Sequence, residues 1–137
     1  MNKNVTLFLS LFIFLVSCAT AVKIPILSND LSLFKGTWEG VRQVTYVRGP
    51  TNDLTILEIF NDTIPLKGKI VIFYQGASDI REYPFENGQI TPDGNLAIQL
   101  AEDTRVNLSL YKQGEKLKLL GNYSVKLQEG KLELYKK

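Results

Sequence analysis

The chain has 137 residues, 16 lysines and arginines against 14 aspartates and glutamates, one Cys and no His. Such a length suits a single domain; the missing imidazole excludes His-ligated zinc and Ser-His-Asp or Cys-His catalysis, and a lone Cys excludes an internal disulfide. A net charge of +2 gives no electrostatic ground for nucleic-acid binding.

Residues 1–17 read as a signal peptide. Lys3 precedes an apolar run from Val5 to Val16, broken only by Thr6 and Ser10. The run has the length of a signal-peptide core and falls short of the ~20 apolar residues that a spanning helix needs. It ends in Leu15-Val16-Ser17-Cys18. These four residues resemble a bacterial lipobox, where a peptidase cuts beside small side chains and the Cys thiol carries a diacylglyceryl thioether. The resemblance implies a mature chain starting at Cys18, held to the membrane by acyl chains such as palmitate. Two or three chains make such an anchor stable, because one alone is marginal. Ala19 follows the Cys where an Asp would signal retention at the inner membrane, so the expected place is the outer membrane, facing the periplasm. Ala19-Thr20-Ala21 offers an alternative, secretion after a cut behind Ala21.

Residues 18–33 form the lipidated Cys and a short tether. Pro25 keeps Ile24 extended. Asp30-Leu31-Ser32-Leu33-Phe34 suits one helical turn, with Ser28 or Asn29 as its cap.

Residues 34–137 read as an all-β domain. Trp38, Val44 and Tyr46 share one parity; Leu54, Ile56 and Phe60 share the next, then Ile70, Ile72 and Tyr74. Leu96, Ile98 and Leu100, then Val106, Leu108 and Leu110, then Leu117 to Val125, then Leu132 and Leu134 repeat the alternation. Sustained period two marks strands with one buried face. Turn chemistry falls at Gly49-Pro50-Thr51-Asn52, Lys67-Gly68-Lys69, Asn87-Gly88, Pro92-Asp93-Gly94, Gly114 and Glu129-Gly130-Lys131. The spacing predicts a single antiparallel up-and-down β-barrel of about eight strands, which removes exposed edges by closure. A two-sheet β-sandwich is the alternative.

Gly36-Thr37-Trp38 resembles the start of lipocalins and other calycin-type barrels, and Leu120-Gly121-Asn122-Tyr123 with Gly130-Lys131-Leu132 is similar to the closing hairpin of small bacterial lipocalin-like proteins. The resemblance implies that Trp38 plugs the closed end of the barrel, with a late-strand cation over its indole. No Arg follows Arg105, so that cation is expected to be Lys126, Lys131 or Lys136.

Four residues are candidates for ligand binding. Trp38 is either the plug or a stacking surface. Arg42 shares the parity of Trp38 and would reach the lumen, where an unpaired charge is costly. It would bind an anionic group or pair with Glu58, which shares the parity of Ile56; the alternative leaves both solvated at a strand end. Tyr46 follows on the same face. Tyr111 and Tyr135 have outward parity; they belong either to an ordinary solvated sheet face or, with Lys112, Lys136 and Lys137, to a basic-aromatic patch facing lipid headgroups or a partner. Paired carboxylates occur at Glu102-Asp103 and, more loosely, at Asp79 with Glu82; Glu102-Asp103 sits in a turn-like stretch where water keeps both ionised, so no catalytic residue is expected. No metal-ligand pattern is present and no cofactor is expected.

These readings lead to a non-enzymatic, membrane-anchored lipoprotein of the envelope that binds a small apolar ligand or an envelope protein through its barrel. The alternative is an interaction or inhibitor module with a filled core and no small-molecule ligand. A carrier needs an apolar lumen of ~300 Å³ or more; a partner-binding module needs a filled barrel and an exposed apolar or aromatic patch.

Overall fold

The computed structural model describes residues 20–137 apart from Ser28, Ala77 and Leu127. The expected signal peptide and lipobox, with Cys18, lie outside the described residues. Nine strands follow in chain order: β1 Val22–Ile24, β2 Gly36–Tyr46, β3 Gly49–Ile59, β4 Leu66–Phe73, β5 Ile80–Ile90, β6 Leu96–Ala101, β7 Thr104–Gln113, β8 Lys116–Val125 and β9 Gln128–Lys136. Each of β2 to β9 pairs antiparallel with the next, and β9 returns to pair with β2, from Trp38↔Lys136 to Val44↔Gly130. The result is a closed eight-stranded antiparallel barrel with one extra strand, an architecture compatible with a lipocalin-like fold. β1 lies along β7 where β6 has run out: Ile24 faces Leu110, two positions beyond the Leu96↔Leu108 pair.

The alternation seen in the sequence follows the barrel wall. Trp38, Leu57, Ile70, Phe85, Leu96, Leu108, Leu119 and Leu132, one from each strand, meet inside as buried neighbours. An eight-stranded barrel is just wide enough for side chains to fill it, and here they do. At one end the 3₁₀ turn Leu31–Leu33 brings Leu31 and Phe34 under the interior. This is the closed end. The end of β9 and the turns between β3 and β4, β5 and β6, and β7 and β8 lie there. The turns following β2, β4, β6 and β8 lie at the other, open end.

Several expected details differ. On β3 the inner parity belongs to Asp53, Thr55, Leu57 and Ile59, while Leu54 and Phe60 are exposed. The barrel interior took the polar Asp53 and Thr55 in place of the larger apolar set. Gly49-Pro50-Thr51-Asn52 is the start of β3; the chain reverses at Val47-Arg48. Lys67-Gly68-Lys69 lies within β4 and Gly130 within β9, whose preceding turn bends at Lys126 with φ +53°. A glycine inside a strand often marks close backbone approach, and a Cβ on Gly68 would lie 2.0 Å from the Glu58 carbonyl oxygen. Asn87-Gly88 is no hairpin. It forms a bulge in β5, where Phe85 and Gly88 oppose Gly68 and Leu66. Asp30, not Asn29, stands at the N-cap of the 3₁₀ turn and makes no side-chain capping bond; Ser28 lies outside the described residues.

The weakest join in the barrel wall is between β5 and β6, which share only the pairs Gln89↔Ala97 and Ile90↔Leu96. Beyond them the Asn87 side chain takes over. Its Nδ2 donates to the Gln99 carbonyl (2.8 Å) and its Oδ1 accepts from the Gln99 amide (3.2 Å). One side-chain amide thus stands in for a rung of the backbone ladder.

Candidate functional site

The closed end is built on Trp38. The ring is fully buried, its Nε1 donates to the Phe34 carbonyl at 2.9 Å, and the Phe34 ring stacks on it with centroids 6.2 Å apart. The Lys136 ammonium lies 5.4 Å from the indole and donates to the Leu33 carbonyl. Burial holds that ammonium below the usual lysine value. Of the three lysines expected over the indole, Lys136 is the one that occupies the place.

The open end is polar. Arg42 points inward on β2, and its register partner on β3 is Asp53. Arg42 Nη2 lies 2.6 Å and Nε 3.1 Å from Asp53 Oδ2, and both side chains are buried. Asp53 Oδ1 accepts the Gln75 amide at 2.8 Å. The guanidinium carbon sits 4.9 Å from the ring centroids of both Tyr74 and Tyr123, and Arg81 lies 5.4 Å from Tyr74. The Tyr74 and Tyr83 hydroxyls share a hydrogen bond of 2.9 Å. Burial would lower the Arg42 pKa, but the bond and charge of Asp53 outweigh it and hold the guanidinium above its ordinary value. Burial pushes both the Tyr74 and Tyr123 phenols up, and for Tyr74 the bond to Tyr83 adds to the rise.

Above this pair the open end leaves a cavity of about 260 Å³, bordered by Arg42, Tyr46, Tyr74, Tyr83, Tyr123 and Arg81. Chemically it is a small cup with aromatic walls and a cationic floor whose charge is already matched by Asp53.

The four candidate residues therefore separate. Arg42 and Tyr46 border the cup. Trp38 lies at the opposite end. Glu58 is outside the barrel, its Oε2 3.6 Å from Lys69 Nζ, so it does not meet Arg42. The correction follows from the inverted parity of β3. Asp53, Tyr74 and Tyr123 are not among the four candidates, although the cost of an unpaired inward arginine calls for a negative partner and Asp53 supplies it from β3.

A larger concavity, of about 700 Å³, runs across the outer face of β2, β9, β8 and β7, bordered by Val41, Ser109, Tyr111, Leu120, Glu133 and Tyr135 among others. Gly40 and Gly121 lie at this indentation: a Cβ on either would come within 1.9 Å of a neighbouring strand's carbonyl oxygen. Lys118 Nζ lies 2.7 Å from Glu133 Oε1, which also accepts the Tyr135 hydroxyl, and the ammonium is 5.3 Å from the Tyr135 ring. The bond to Glu133 raises the Lys118 pKa, and the bond to Lys118 lowers that of Glu133. Tyr111 and Tyr135 thus share one outer groove, as outward parity implied. Lys136 and Lys137 do not join them, being engaged at Trp38 and, at 2.9 Å, with Glu39.

Three of the other carboxylates face cations at the surface: Asp79 with Arg81 (2.9 Å), Glu82 with Lys69 (3.4 Å) and Asp103 with Lys126 (3.8 Å). Among the described residues no group of three or more potential ligands is placed to hold a metal ion. Comparison of the chain with protein-family models, with curated proteins and with solved structures found no match.

Proposed function

We propose that the protein is a bacterial envelope lipoprotein, anchored by acyl chains on Cys18, whose lipocalin-like barrel works by binding an envelope protein and not by catalysis. The observation that carries the binding mode is the filled interior. Every strand of the barrel contributes a buried apolar side chain to one cluster, from Phe85 and the Trp38 plug at the closed end up to Tyr123. The apolar lumen that a carrier of ~300 Å³ or more would need is occupied by these groups. The larger concavity lies on the outer wall, where Tyr111, Leu120, Val41 and Tyr135 offer aromatic and aliphatic surface. Such residues suit the centre of a protein interface. The anchor rests on the lipobox, Leu15-Val16-Ser17-Cys18.

Native mass spectrometry of the protein extracted from its own envelope tests the binding mode. A stoichiometric protein bound to it, lost on Tyr135→Ala, supports the interaction module. A retained small molecule with no protein overturns it in favour of a ligand in the cup, the reading that the stacking of Arg42 between two tyrosine rings supports. For the anchor, Cys18→Ser should release the protein from the membrane fraction.

A further inference from the structure

The closed end carries a feature that the filled barrel does not use. Val22, Leu27, Leu33, Phe60 and Ile64 are exposed large apolar residues, and all five belong to the turns and tether at that end. The tether links them. It starts beside β7 at Val22, passes the β5–β6 turn where the Ile26 amide donates to the Gly94 carbonyl at 3.0 Å, and reaches β2 next to Ile59. It therefore lies across the closed end, leaving Leu27 and Leu33 facing out while Ile26 and Leu31 pack inward. Lys23, Lys35, Lys67, Lys112 and Lys116 belong to the same end, interspersed with Asp30, Asp62, Asp93 and Glu115.

Three residues separate Cys18 from Val22. Fully extended at ~3.3–3.6 Å per residue, that span reaches about 14 Å. An acylated Cys18 would hold Val22, and with it the closed end, within that distance of the lipid headgroups. Apolar groups among lysines suit such a surface: the side chains enter the headgroup layer while the ammonium groups meet phosphates.

We infer that the closed end is a membrane-docking face, and that Leu27, Leu33, Phe60 and Ile64 press into the phospholipid headgroup region when Cys18 is acylated. The inference rests on the lipoprotein reading. The open end with its Arg42–Tyr cup then faces away from the bilayer.

The mature acylated protein, reconstituted into vesicles of phosphatidylethanolamine and phosphatidylglycerol, provides the test. Its one cysteine is capped as a thioether, so an introduced cysteine is the only free thiol. Phe60→Cys, Ile64→Cys and Val47→Cys, each bearing a polarity-sensitive fluorophore, are compared. Position 47 is a fully exposed site in the turn at the open end. The labels at 60 and 64 should shift to the blue on vesicles and the label at 47 should not. An acylated chain that floats with its vesicles while both closed-end labels stay in water overturns the docking face and leaves the lipoprotein reading intact. A chain that carries no acyl mass removes both. A blue shift at 47 alone reverses the orientation and also overturns the inference.

Discussion

Arg42 and Asp53 are direct cross-strand partners of β2 and β3, and they meet inside the barrel with Nη2 2.6 Å from Oδ2 and almost no contact with water. Removing one member of such a pair strands the other charge. Asp53→Ala should lower unfolding free energy by about 3–5 kcal/mol, read from the midpoint of urea denaturation. The double variant Arg42→Met with Asp53→Leu should recover most of that loss, since a well-packed apolar pair replaces a buried ion pair at little cost. A double variant no more stable than Asp53→Ala would contradict this.

The tyrosines around the pair make stability depend on alkaline pH. The ordinary phenol value is 10.0, and burial raises Tyr74 and Tyr123 above it in the folded protein. Below pH 10 both states of the chain keep these protons, and stability is unaffected. As pH rises past that value the unfolded chain loses them first and the folded chain keeps them, so the unfolded state binds fewer protons and stability falls. Tyr74→Phe with Tyr123→Phe should flatten the fall, measured as unfolding free energy against pH on both sides of pH 10.

Trp38→Ala should cost about 3–5 kcal/mol, the range for a buried aromatic truncated to Ala. Trp38→Phe keeps most of the packing but loses the bond to the Phe34 carbonyl, worth about 0.5–1.5 kcal/mol. Because Trp38 is the only tryptophan, emission excited selectively at the indole reports this end alone, and Lys136→Met should change it without unfolding the barrel.

Asn87→Ala removes both side-chain bonds to Gln99. Hydrogen exchange of the Gln99 amide should speed up while amides of the β7–β8 ladder keep their rates. Equal acceleration across both ladders would mean that Asn87 supports the whole barrel and not the join between β5 and β6.

Gly121→Ala would place its Cβ 1.8 Å from the Asn107 carbonyl oxygen, whereas Gly114→Ala at φ +61° meets no neighbouring atom within 4 Å. The first change forces two strands apart and should cost at least about 1–3 kcal/mol; the second carries only the backbone strain of a left-handed residue, about 1–2 kcal/mol. Thermal unfolding of the two variants should rank them in that order.

Much of the fold was legible because the barrel wall imposes period two on seven of its eight strands, and because Pro92-Asp93-Gly94 and Gly114 sit where the chain turns. β3 was misread for a physical reason. Leu54, Ile56 and Phe60 look like a buried set, yet the barrel turns Asp53 inward to pair with Arg42, brings Thr55 in on the same parity, and leaves Leu54 and Phe60 in solvent. Glu58 was drawn into the site by the same error. Gly68, Gly88 and Gly130 signalled turns by composition but serve close packing and a bulge within strands, which only the three-dimensional neighbours reveal. Arg42 was found because an inward charge contradicts its own strand's pattern.

The return of β9 to β2 also orders the folding of the chain. Seven of the eight contacts around the ring join strands that are adjacent in sequence, and each can form as a local hairpin. The eighth joins Trp38 to Lys136, near the two ends of the domain. Its loop-closure entropy is the largest in the ring, and it cannot form before the last strand is available. β9 holds two neighbours at once, so a chain cut before Gln128 keeps its hairpins but loses the ring, with β2 and β8 left as open edges. The barrel cannot close without the final ten residues.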